Sequence, residues 1–169
     1  HHGIGTFVKE QTVEQNFLLS NASLETINDI VSLLELRISL ESEAVFLASE
    51  RRKQIHIDKM KAALQDFERH ISSDANDGTV KADYDFHIAI AEASENQYFV
   101  DFLKYLGEKI IPRARLKSIE QSPENREEYL KAVHHDHVNI YNAIVDQDGL
   151  LARQMMRAHL SKRIKKVKQ

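Results

Sequence analysis

The stretch that decides the fold is 27-INDIVSLLELRISLESEAVFLASERR-52. Ile27, Ile30, Val31, Leu34, Ile38, Val45 and Leu47 recur about every 3.6 residues, so the spacing predicts one long amphipathic helix ending near Arg52. Leu33 and Leu40 lie off that stripe, which points to an interface or to deeper burial. Upstream, Ser20-Asn21-Ala22-Ser23 is a break with capping residues, and Thr12 to Leu19 reads as a short amphipathic helix.

The same reading extends downstream. A second helix is predicted over about Ile57 to Ser72, with Met60, Ala63, Leu64 and Phe67 on one face. Ser73 to Gly78 is a polar loop, and a third helix covers about Thr79 to Ser94. Asn96 caps a fourth helix that turns Phe99, Phe102, Leu103, Leu106 and Ile110 inward, with a kink expected at Pro112. Ser122 and Pro123 start a helix reaching about Val145. Asp146-Gln147-Asp148-Gly149 separates it from a last helix over Leu150 to about Lys166. Its basic end, Lys162 to Lys168, suits the negative pole of the helix dipole. Six or seven helices on short loops predict an all-α antiparallel bundle. Five Gly and two Pro in 169 residues are too few turn residues for a strand-rich fold.

Composition narrows the function. The chain has no Cys, which excludes disulfides, thiolate zinc sites and cysteine nucleophiles, and fits a reducing compartment. With 23 basic and 26 acidic residues the formal charge is −3, unlike a self-sufficient nucleic-acid binder. No apolar run is long enough to span a bilayer, so no membrane partner is expected. Nine histidines stand out, of which His1 and His2 read as remnants of a purification tag.

Asp83 and His87 are four apart, one turn from each other on one helix face. Val80, Tyr84, Ile90 and Ala91 share that face, so it points inward. A carboxylate and an imidazole turned inward need partners: they pair with each other, or they share a metal. His137 is flanked by Leu130, Val133, Ile140, Tyr141 and Ile144, which puts it in the centre of an apolar stripe. His159 follows Ala152, Met155 and Met156 on the inward face of the last helix. Three helices thus project ligand-type groups into one core, as bundle metal sites do. Three imidazoles and one carboxylate suit Zn²⁺ first, and also Ni²⁺, Mn²⁺ or Fe²⁺. The bland alternative is a hydrogen-bonded polar core. His134 shares its face with Glu127 and Lys131, His135 has polar neighbours, and His56 and His70 near helix ends read as surface.

Other chemistries are absent. There is no Glu-x-x-His of the di-iron bundles, no His-Glu-x-x-His of the zincins, no phosphate loop and no Gly-x-Ser-x-Gly elbow.

These residues also resemble a family. Glu35-Leu36-Arg37 with Leu40-Glu41 and Leu47-Ala48 is similar to the opening helix of the FadR-type (FCD) C-terminal domain of GntR transcription regulators. Asp83-Tyr84-Asp85-Phe86-His87 followed by Asn96 resembles that family's Asp-x-x-Phe-His and following Asn. His137 to Ile144 resembles its third-ligand helix, and Met156-Arg157-Ala158-His159-Leu160 its closing Met-x-x-His-Leu. The resemblance covers about Ile27 to Lys162. Gly3 to Val8 looks like the last wing strand of the family's winged helix-turn-helix.

The resemblance implies a division into a wing remnant at 1–9, a linker with a short helix at 10–26, and an effector-binding and dimerisation domain at 27–169. It implies one divalent metal per chain, held by Asp83, His87, His137 and His159 at the floor of a cavity. A small organic or sugar acid would bind there, clamped by Arg37, with Arg113 a second candidate. A guanidinium matches a carboxylate bidentately. The other reading of Arg37 is a surface or interface salt bridge. The implied protein is a cytoplasmic homodimer with no enzymatic activity that binds operator DNA through a domain upstream. Two rivals stand beside it. One is a metal-dependent hydrolase with Asp85 or Glu92 as nominal bases. The other is a purely structural bundle.

Overall fold

The computed structural model describes residues 26–72, 76–107 and 123–168. Within them the chain forms six helices and no strand: α1 (Ile27–Arg51), α2 (Gln54–His70), α3 (Asn76–Ala93), α4 (Gln97–Leu106), α5 (Pro123–Val145) and α6 (Gly149–Val167). The predicted helix over Thr12 to Leu19, the wing-like Gly3 to Val8, Ile110, the kink at Pro112 and Arg113 all lie outside the described residues.

Local chemistry sets the ends of the helices. The Thr26 hydroxyl accepts from the Asp29 backbone N–H at 3.2 Å, and the Asp29 carboxylate accepts from the Thr26 N–H at 3.0 Å. This reciprocal pair satisfies two donors at the α1 start. Asn96 accepts from the Tyr98 N–H at 3.1 Å and starts α4 as expected, after Glu95 turns the chain at φ 53°. Gly107 ends α4 at φ 66°, a conformation a glycine adopts without strain. Asp148 accepts from the Leu151 N–H at 3.0 Å and starts α6.

Three boundaries differ from the sequence reading. The fourth helix ends at Leu106, where Gly107 caps it, rather than running on through Ile110 to a kink at Pro112. The third helix begins at Asn76, so Asn76 to Gly78 belong to it rather than to a loop. The second begins at Gln54, because His56 reaches back and its Nδ1 accepts from the Lys53 N–H at 3.1 Å. His56 is therefore half-buried rather than a free surface residue. His70 is also half-buried: its Nδ1 lies 2.7 Å from the Asp66 carbonyl, and its ring fills the space beside Gly78.

The bundle is antiparallel where it matters for the site. Gly149 at the start of α6 lies against Phe46 and Ser49 near the end of α1, while Val167 at the end of α6 packs with Val31 and Leu34 near the start of α1. Helices α2 and α3 form a second close pair, and α5 lies beside both α2 and α6. The main core joins Val45 and Ala48 of α1, Met60 of α2, Phe86 and Ile90 of α3, Ile140 and Ile144 of α5, and Met156 and Leu160 of α6. Leu33 is buried in a second cluster with Ala91, Val100, Leu103 and Leu106, so its place off the main stripe reflects contact with α4. Ile27, the first residue of α1, is 58% exposed rather than part of the core. On α4, Val100 is buried and Phe99 and Phe102 are half-buried.

Candidate metal centre

Asp83 and His87 enter the core from α3, His137 from α5 and His159 from α6. Their relative exposures are 0%, 2%, 0% and 2%. Each offers one ligand atom, and these atoms all lie within 4.8 Å of one another. His137 Nε2 is 3.3 Å from His159 Nε2 and 3.3 Å from Asp83 Oδ1. Two donor atoms each ~2.1 Å from a tetrahedral ion stand ~3.4 Å apart, which the two 3.3 Å separations about His137 Nε2 match.

The carboxylates behind the imidazoles select which nitrogen faces inward. His87 Nδ1 is paired with Glu41 Oε2, and His87 Nε2 is buried with no hydrogen-bond partner among the described residues. His159 Nδ1 lies 3.4 Å from Asp136 Oδ2, leaving Nε2 toward His137. Each carboxylate carries a cation in turn. Arg37 Nε donates to Glu41 Oε1 at 2.5 Å, and Lys162 donates to Asp136 at 2.7 and 2.9 Å. A carboxylate behind a histidine fixes the tautomer and raises the basicity of the nitrogen facing a metal. His137 is instead held by its ring, which stacks on Phe86 at 4.6 Å and meets Phe67 edge-on at 5.5 Å.

Electrostatics favour the protonation states that ligation needs. Burial pushes His137 well below the usual histidine range, and repulsion between two protonated rings, His137 and His159, acts in the same direction. Burial and the nearby Arg163 lower His159 to about 3, against the opposing pull of Asp136. Both imidazoles are therefore neutral at pH 7. Burial alone would raise the Glu41 carboxyl, but Arg37 and His87 outweigh it and hold it well below the carboxylate range. The donor set, the open His87 Nε2 and the neutral imidazoles fit a divalent metal: this is a buried His/Asp cluster able to hold one.

Arg37 is buried rather than on the surface. Its Nη1 has no partner among the described residues, and it lines a pocket with Tyr84, His87, Ile88, Leu103, Leu106 and Gly107. That pocket measures about 10 Å³, room for a water molecule. Asp85 and Glu92, the nominal bases of the hydrolase reading, lie apart on the groove between α2 and α3, ion-paired with Lys81 at 2.5 Å and Lys59 at 2.6 Å. His134 stacks on Phe67 at 5.8 Å and His135 is exposed.

Sequence reasoning missed three members of the site. Glu41 sits four residues after Arg37, on the face that carries Ile38 and Val45. Arg163 sits four after His159, hidden within the basic run of the last helix, and its Nη2 donates to Asp83 Oδ1 at 2.6 Å. Asp136 adjoins His137 and works through a different helix. Helical spacing was the available signal for the first two.

The FCD domain family matches residues 32–162, which span all six helices at least in part. The chain belongs to that family, the FCD-type domains of GntR transcription regulators. It is 30% identical over 167 residues to the HTH-type transcriptional regulator LutR of Bacillus subtilis (strain 168), which covers 94% of this chain and 72% of that protein. It is 30% identical over 161 residues to the Uxu operon transcriptional regulator of Escherichia coli (strain K12), over 94% of this chain and 61% of that one. The chain thus spans about three fifths of the Uxu regulator. The solved structure of E. coli McbR/YncC shares the fold, with a TM-score of 0.70 over 83% of this chain and 64% of that chain, at 15% identity. Among the described residues no helix is long and apolar enough to cross a membrane.

Proposed function

We propose that this chain is the effector-sensing and dimerisation part of a cytoplasmic GntR-type regulator. Residues 27–169 form the sensing domain, 10–26 a linker, and Gly3 to Val8 the end of a winged helix-turn-helix that reads operator DNA. Asp83, His87, His137 and His159 hold one divalent metal per chain, with Zn²⁺ the best match and Ni²⁺, Mn²⁺ or Fe²⁺ also compatible. When bound, the metal supplies an electrophilic site for an acid group. The observation that carries this reading is the approach of four buried donor atoms from three helices to within 4.8 Å.

The effector is a small carboxylate, an organic or sugar acid. Arg37 meets it through Nη1, the nitrogen left open beside His87, while Nε stays on Glu41. Arg113 is the second candidate. Binding requires the narrow pocket beside His87 to widen, which gives the effector two states to distinguish. A tenfold preference for one state shifts the balance by ~1.4 kcal/mol. That preference changes the spacing of two DNA-binding domains in a homodimer. The protein turns nothing over: its relatives are named as regulators, and Asp85 and Glu92 lie away from the cluster.

The test is thermal shift on zinc-loaded protein against a panel of short carboxylic and sugar acids. A concentration-dependent rise that is lost in Arg37→Met supports the reading. No rise with any acid, or an equal rise in the variant, overturns the role of Arg37.

A further inference from the structure

Arg163 breaks the pattern of the site. Elsewhere each cation stands one carboxylate away from the imidazoles: Arg37 behind Glu41, Lys162 behind Asp136. Arg163 instead bonds Asp83, one of the four cluster residues, through Nη2 at 2.6 Å. The contacted oxygen, Oδ1, is the same one that lies 3.3 Å from His137 Nε2. Arg163 is 3% exposed, and its Nε and Nη1 have no hydrogen-bond partner among the described residues. A guanidinium with five donors is therefore buried for a single charged contact at the heart of the cluster.

We infer that Arg163 is a built-in counterion that competes with the metal for Asp83. This rests on the metal-site reading above. A carboxylate as buried as Asp83 is costly without a cation. Arg163 supplies that cation in the metal-free domain and keeps it folded. When a divalent cation enters, the guanidinium stands against it as a like charge in a low-dielectric interior. Arg163 must then yield Oδ1 or share Asp83, and either weakens metal binding. The consequence is an exchangeable site that stays folded when empty.

The experiment compares the wild type with Arg163→Met and Arg163→Lys. Metal affinity is read by Zn²⁺ competition against a chromophoric chelator and by Co²⁺ absorption, and metal-free stability by urea denaturation. The expected result for Arg163→Met is affinity at least about tenfold tighter, with a lower metal-free urea midpoint. Arg163→Lys keeps the charge and falls between the two. If metal-free Arg163→Met does not fold, the affinity comparison is made on Arg163→Lys, and Lys binding no tighter than the wild type then overturns the inference. Equal or weaker metal binding by Arg163→Met overturns the inference while leaving the metal site standing. Metal binding by neither protein overturns the site reading itself, and the competition falls with it.

Discussion

His137 Nε2 and His159 Nε2 face each other at 3.3 Å where α5 meets α6. Both imidazoles are held neutral by burial, so two ring nitrogens converge with at most one proton between them. A cation placed there uses both lone pairs. Substituting His137 by Leu removes one and preserves the apolar stripe against Phe86 and Phe67. We expect the wild type to gain about 2.7 kcal/mol with Zn²⁺ at a hundred times its Kd. His137→Leu should fold and gain nothing. An equal gain in both proteins, measured by thermal or urea unfolding, contradicts the role of His137.

Glu41 ties Arg37 to His87 through its two carboxylate oxygens. Glu41→Gln leaves the guanidinium buried beside a neutral amide and loosens the tautomer of His87. Breaking a buried pair from one side costs about 3 kcal/mol or more. Loss of the carboxylate behind a ligand histidine lowers metal affinity about 10–100-fold. Urea denaturation and metal competition measure the two effects separately. A variant with unchanged metal affinity shows that Glu41 serves packing alone.

The depressed histidines make a pH prediction for the metal-free protein. The folded His159 titrates near 3 against an ordinary value of 6.5, so between those values the unfolded chain binds more protons. Its contribution to stability is whole above pH 6.5 and is lost as the pH falls toward 3. His137 acts in the same direction. The urea midpoint should fall between pH 7.5 and 5, and less steeply in His159→Gln. Identical slopes for the two proteins contradict the buried neutral state.

Much of this site is legible in the sequence, because each cluster residue violates its surroundings. Asp83 and His87 share an inward face four residues apart, and His137 interrupts an apolar stripe. Burying such groups is expensive, so their placement is informative. The same logic finds the helices, whose apolar period and caps are local. Glu41 and Arg163 escape it for opposite reasons. Glu41 lies on a buried face one turn after Arg37, and Arg163 lies in the basic run that suits the negative pole of the helix dipole. Their partners, His87 and Asp83, are 46 and 80 residues away, so their pairing exists only after the bundle closes. The start of α3 shows a tertiary effect as well: Gly78 is helical with the His70 ring beside it, where the local residues read as a loop.

The junction of α1 and α6 gives a prediction about the frame. A Cβ on Gly149 would stand 2.8 Å from Phe46 Cδ2 and 2.8 Å from Ser49 Oγ. Phe46 has little freedom to give way, because Arg153 lies over its ring at 4.2 Å and is tied to Glu43 at 2.6 Å. Gly149→Ala should cost about 1–3 kcal/mol by forcing the two helices apart. A urea midpoint equal to the wild type contradicts this packing.

Four buried side chains from three helices converge as one candidate metal site. Elemental analysis tests it most directly, on protein purified without a nickel column and without chelator. About one transition metal per chain is expected in the wild type and none in an Asp83→Ala/His87→Ala variant. Folded wild-type protein that carries no metal, and whose stability is unchanged by added Zn²⁺, Ni²⁺ or Mn²⁺, would contradict it.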